Sequence, residues 1–187
     1  METFGKNEIL FPSQQPNERV VIAVREHWFV IGVKFFIIFL LSLLPWIFRL
    51  LLIDTQIIQA DTFVLNIIQI ATAIFYLVLL IAAFVIYVLY YLNLHVVSEE
   101  RIVDIDQVGL LSREVSELNI ETIEDVSSKT SGLFGNILNF GNVSIQTAGA
   151  VDKFHFENVP NPESISKVIL QLYEAHSDSG QKEEPKP

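Results

Sequence analysis

The chain changes its hydrophobic period partway along. From Trp28 to Phe48 it is apolar nearly throughout, interrupted by Lys34 and Ser42, and from Ile70 to Leu92 the one strongly polar residue is Thr72. A helix needs about 20 predominantly apolar residues to cross a bilayer, so the pattern predicts two spans, over about 28–48 and 68–92. Trp28 and Trp46 are separated by roughly 27 Å of helix, close to the hydrocarbon thickness. Trp28, Trp46, Tyr90 and Tyr91 read as anchors at the membrane–water interfaces, where amphipathic rings settle. Pro45 predicts a kink or an end in the first helix, because proline lacks the N–H that an interior position needs. The connection between the spans is short, which makes them an antiparallel hairpin. Ahead of them, NERVVIAVREHW (17–28) places Val20, Val21, Val24 and Trp28 on one helical side, predicting an interfacial helix that Asn17 would cap. Residues 1–16 read as an irregular lead-in.

Beyond the second span the pattern alternates. His95–Val97 and Arg101–Ile105 suggest two strands joined across Glu99-Glu100, followed by strands at Arg113–Ile120, Thr122–Ser128, Asn142–Thr147 and Lys153–Val159. Their β-branched content, with Gly, Asn, Asp or Ser between them, fits an antiparallel meander of six to seven strands. Between the fourth and fifth, SGLFGNILNFG (131–141) predicts a short helix buried through Leu133, Phe134, Ile137, Leu138 and Phe140. A closing helix starts at Asn161-Pro162-Glu163, which supplies a cap, a first-turn proline and an acid at the positive dipole end. Its Ile165, Val168, Ile169, Leu172 and Tyr173 recur at helical spacing, so one face must be buried. The expected organisation is a lead-in (1–16), a membrane unit (17–93), a soluble domain (94–176) and a disordered tail (177–187).

Charge adds an orientation and several exclusions. The 187 residues are 51% hydrophobic and 18% charged, against about 25% charged in ordinary soluble domains. Residues 99–187 hold 16 acidic against 7 basic residues, and the whole chain nets −10. That balance argues against nucleic-acid binding, which depends on a basic patch. Without cysteine there is no disulfide, thiolate metal site or cysteine nucleophile. Arg19, Arg25 and Lys34 flank the first span and Arg101 and Arg113 follow the second, whereas the connection offers only Arg49 beside Asp54 and Asp61. The positive-inside bias therefore puts both termini in the cytoplasm.

Candidate chemistry is sparse. Asp104 and Asp106 share one strand face and are read as solvated outer carboxylates, with too few partners for a cation site. His27, His95, His155 and His176 lack metal-ligand spacing, although His27 and His95 flank the spans, where a pH-sensing pair is conceivable. Gly132, Gly135 and Gly141 are not followed by the Lys-Ser/Thr of a phosphate loop. No catalytic, cofactor-binding or metal-binding residue is assigned, and the chain is not read as an enzyme.

The two-helix hairpin, the ERIVDID strand, the GLFGNILNFGNVSIQTAG segment and the closing FHFENVPNPESISKVI follow one another in an order that resembles bacterial pleckstrin-homology (PH)-like membrane proteins of the YdbS type, over about 17–173. The resemblance implies a PH-like barrel plugged by its C-terminal helix, with Ile165, Val168, Ile169 and Leu172 as the plug. It brings no catalytic residues. The expected whole is a membrane α-helical hairpin plus an all-β PH-like barrel capped by a C-terminal α-helix. Its expected place is the inner membrane of a bacterial-type cell. There it would act as a cytoplasmic-face adaptor that binds a protein partner or self-associates. The alternatives are a structural subunit assembled through its spans, with Ala71, Ala73, Ala82 and Ala83 as small packing positions, or a lipid-headgroup module. The acidic balance disfavours anionic headgroups.

Overall fold

A computed structural model describes residues 13–15, 18–53, 61–109, 111–147 and 154–180. The chain divides into two units, a helical one from Trp28 to Tyr90 and a second one formed by the residues on either side of it.

In the helical unit, α1 (Trp28–Ser42) stops one residue short of α2 (Leu44–Phe48), which begins with Pro45 in its first turn, where the missing N–H costs nothing. A π-helical turn follows over Arg49–Ile53, and α3 covers Thr62–Leu92. Asp61 caps α3, its carboxylate accepting from the Val64 N–H at 2.9 Å. Neither α1 nor α3 buries a side chain. Both helical stretches, Trp28–Leu51 and Thr62–Leu92, are long and apolar enough to cross a membrane. Three of the hydroxyls there bond within the unit: Thr72 donates to the Ile68 carbonyl, Ser42 to the Phe39 carbonyl, and Tyr76 to the Ser42 carbonyl at 2.9 Å.

The second unit contains seven strands in two antiparallel sheets. The first sheet runs β1 (Val20–Val24), β2 (Leu94–Ser98), β3 (Arg101–Val108) and β4 (Ser112–Asn119); the second runs β5 (Ile123–Lys129), β6 (Phe140–Thr147) and β7 (Phe154–Pro160). Between β4 and β5 a 3-10 turn (Ile120–Thr122) is capped by the Asn119 side chain and buries Ile120. The described strands therefore form two antiparallel sheets of four and three, not joined into the barrel that was expected.

β1 corrects the expected interfacial helix at 17–28. Val20–Val24 is a run of four β-branched residues and one alanine, and it pairs with β2 through Val24↔His95, Ala23↔Val96 and Ile22↔Val97. Helical spacing and strand alternation are hard to separate in so short an apolar run. The open edge of β2 decides the matter, because its backbone groups need a partner. Ile22 thereby enters the core, and the whole stretch from Arg25 to Asn93 becomes an insertion between two neighbouring strands. Just before β1, the buried Glu18 carboxylate accepts from Ser98 Oγ at 2.6 Å and from Arg101 Nε at 3.1 Å, which pins the chain to the β2–β3 turn.

The core joins both sheets to α5 (Pro162–Gly180). Ile22, Val97, Ile102, Ile120, Ile123, Val143, Ile145, Phe156 and Val159 pack with Ile165 and Ile169, while Val168, Leu172 and Tyr173 are half-buried against them. α5 runs to Gly180, so Ser177 is helical and not the start of a disordered tail; residues 181–187, like 1–12, lie outside the described residues. The Asn161 side chain accepts from Asn139 Nδ2 at 2.6 Å, and its backbone carbonyl receives the Ser164 N–H.

The short helix α4 (Gly132–Leu138) lies between β5 and β6, but Leu133, Phe134 and Ile137 are exposed rather than buried. Only Gly135 is buried in it. After α4 the chain turns through Asn139 in the left-handed region and returns against β5 at Gly141. There an added Cβ would collide with the Lys129 carbonyl oxygen and lie 2.9 Å from Thr130 Cα.

Candidate binding cleft

Strand pairing assembles a polar cleft at one end of the sandwich. His95 stands opposite Asp104, and Asp104 opposite Ser116; in the next row Asp106 stands opposite Glu114. These positions continue the face that carries Val97 and Ile102 in the core, since side chains alternate with a period of two. Where the sandwich opens, that face becomes the wall of a cleft of about 760 Å³, completed by His155 and Glu157 of β7 and by Glu26 and Asn93 beside the insertion. Asp104 and Asp106 are therefore not solvated acids on an outer face, as the sequence suggested. They belong to the inner face, at the height where it leaves the core.

His95 is buried. Its Nδ1 lies 2.6 Å from Asp104 Oδ1, and its ring stacks on Phe156 with centroids 4.6 Å apart. An ionised carboxylate only accepts, so with Asp104 ionised the proton of this contact sits on Nδ1. Asp106 has its carboxyl pushed above the usual carboxylate range, first by burial, then by the neighbouring Asp104, with His95 opposing and Glu157 and Glu114 reinforcing. Among the described residues, the cleft lining contains no lysine or arginine. Nor do the described residues include a group of three or more His, Asp or Glu placed to hold a metal.

Other charged groups are engaged elsewhere. Arg101 bonds Glu117 at 3.0 Å as well as Glu18, and Glu117 also accepts from Ser13 Oγ. These bonds, Ser13 first, hold the Glu117 carboxyl below its ordinary range. The Arg25 guanidinium lies over the Tyr91 ring at 4.7 Å, and its Nε is buried without a hydrogen-bond partner. The His27 ring stacks on Phe140 at 5.0 Å, the His27 backbone N–H donates to the Asn158 carbonyl at 2.7 Å, and burial lowers the imidazole pKa.

Of the residues singled out from sequence, Trp28 and Trp46 are exposed, Tyr91 is exposed beneath Arg25, and Tyr90 is half-buried. Ile165 and Ile169 lie in the core, with Val168 and Leu172 at its margin. The His95–Asp104 pair went unread, yet it had a signal. Counting back symmetrically from the two-residue turn at Glu99-Glu100 sets 95 opposite 104.

A four-stranded and a three-stranded antiparallel sheet, strands in sequence order and closed by a C-terminal helix, define a pleckstrin-homology-like binding domain. The family model for the bacterial PH domain matches residues 20–173, and the chain belongs to that family. The match begins at the first residue of β1. Among solved structures, a DUF1696-family protein with a pleckstrin-homology domain from Shewanella loihica PV-4 is similar at 17% identity with a TM-score of 0.36, over 43% of this chain and 70% of that one. No curated protein matches.

Proposed function

We propose that this chain is a membrane-anchored, non-enzymatic adaptor whose PH-like domain faces the cytoplasm and receives a cationic segment of a protein partner in its acidic cleft. Membership of the bacterial PH domain family supports a binding module in general. The two long apolar helices support the anchor, and the flanking arginines support the orientation.

The observation that carries the choice of partner is the lining of the cleft. Glu26, Asp104, Asp106, Glu114 and Glu157 converge there with no described lysine or arginine among them. A phosphorylated headgroup needs the reverse arrangement, because its charge is stabilised by Arg and Lys donors. A lysine or arginine side chain entering between Asp106 and Glu114 would instead relieve the repulsion across that row.

The test uses the intact chain in nanodiscs of zwitterionic lipid, titrated with an oligolysine peptide and, separately, with an inositol phosphate. The peptide binds, added salt weakens it, and Glu114→Lys combined with Glu157→Lys lowers its affinity at least about tenfold, or ~1.4 kcal/mol. Tighter binding of the inositol phosphate, or indifference of the peptide to the charge reversal, overturns the proposal.

A further inference from the structure

Two charge-free apolar features, the β3–β4 tip and α4, flank the end of the PH-like unit where the insertion leaves and rejoins it, beside the acidic cleft. β1 and β3 run toward this end and β2 and β4 run away from it, so the β3–β4 tip shares it with the residues that follow β1 and precede β2. β3 continues past Ile105, the partner of Leu94, for three more residues before the turn at Gly109. The Gln107 N–H is held by Asn93 Oδ1 at 2.8 Å, which ties the hairpin to the point of re-entry. At its tip Leu111 is 98% exposed. α4 is tied to the point of exit: Phe140, two residues beyond the helix, stacks on His27, and Asn139 and Asn158 bracket the same corner. Leu133 and Ile137 of α4 are 72% and 68% exposed.

Charge is absent from both features. Residues 107–112 and 130–141 contain no Asp, Glu, Lys or Arg, within a stretch from 99 onward that holds 16 acids. Large exposed apolar side chains concentrated on charge-free segments mark a contact with another apolar phase. An acidic domain gains nothing from attraction to an anionic leaflet, so a lipid contact here must rest on apolar insertion, with carboxylates kept off the touching surface.

We propose that the PH-like domain rests on the bilayer through this end, with α4 and the β3–β4 tip entering the headgroup region through Leu133, Ile137 and Leu111. The proposal rests on the reading that α1 and α3 cross that bilayer. It assigns to the surface of the domain a lipid contact separate from the acidic cleft.

The chain has no cysteine, so single cysteines report position without background. An environment-sensitive fluorophore is placed at Ile137→Cys, at Leu111→Cys, at Ile81→Cys in the middle of α3, and at Leu170→Cys. Leu170 is exposed on α5, the helix that packs over the 3-10 turn at the opposite end of β4. Each full-length variant is reconstituted into phosphatidylcholine nanodiscs, then quenched with nitroxide-bearing lipid or with aqueous iodide. Probes at 137 and 111 should be blue-shifted, quenched several-fold more by nitroxide lipid than the probe at 170, and shielded from iodide. Lipid quenching at 81 but not at 137 and 111 overturns the docking while leaving the anchor intact. Lack of lipid quenching at 81 overturns the anchor and the docking together. Shielding of 137 and 111 from both quenchers, growing with protein-to-lipid ratio, means that a second copy covers the surface and also overturns the proposal.

Discussion

At the scale of single residues, the cleft concentrates like charge, and Asp106 carries the consequence. Its folded pKa is raised by burial and by Asp104, so the folded domain prefers the neutral carboxyl. Stability associated with that preference is complete below the ordinary carboxylate range and is lost as pH rises through the raised value. Asp106→Asn keeps the side chain neutral at all pH. Its melting temperature should exceed that of the wild type near neutrality, and the difference should shrink on titration from about pH 7 to about pH 4. A difference that is constant across this range would show that Asp106 does not titrate differently in the folded domain. The His95–Asp104 pair beside it is of another kind, since a hydrogen bond and the Phe156 ring accommodate its burial.

At the scale of elements, α5 and α4 illustrate opposite uses of an apolar face. The Ile165 and Ile169 side of α5 fills the core where the two sheets and the 3-10 turn meet, while Leu170, one residue on, is 47% exposed. Ile169→Ala should lower unfolding stability by about 2–5 kcal/mol, the usual cost of truncating a fully buried aliphatic side chain. Leu170→Ala should change it by about 0.5 kcal/mol or less. Chemical denaturation of the full chain in detergent measures both; equal effects would mean that α5 does not close the core. α4 has a comparable density of apolar residues and buries almost none of them. Periodicity reports that a face is apolar. What covers the face is a separate matter.

At the scale of the whole molecule, the helical hairpin is an insertion into a sheet rather than an appendage to it. Val24 and His95 are paired, and Arg25 lies over Tyr91, so the two ends of the insertion are adjacent in the PH-like unit. Replacing residues 28–90 with a short Gly/Ser turn should therefore leave a folded, water-soluble domain, because an antiparallel pair can be closed by a tight loop. A fragment beginning at Leu94 should fare worse. It lacks Ile22 from the core, leaves the buried Ser98–Arg101 corner without Glu18 and opens the edge of β2. Circular dichroism and size-exclusion profiles of the two proteins would separate these outcomes, and equal stability would mean that β1 is dispensable. On the proposed function, the partner of the acidic cleft is cationic, and the cytoplasmic loops of membrane proteins concentrate lysine and arginine.

The long apolar helices, strands β2 to β7, α4 as a helix and the buried face of α5 were all legible in the sequence, because each is written in a local period of hydrophobic residues. Pairing across the Glu99-Glu100 turn was equally local, and with it the meeting of His95 and Asp104. Three things were decided only by the tertiary structure. VVIAV became a strand because β2, far along the chain, offered an edge that needed its backbone groups. Asp104 and Asp106 became the lining of a cleft because β7 of the other sheet closes over their face. The apolar side of α4 stayed exposed because the core was already filled by both sheets and α5. Local periodicity fixes which residues share a face, but the partner of that face comes from segments remote in sequence, and their arrival depends on packing that no short window contains.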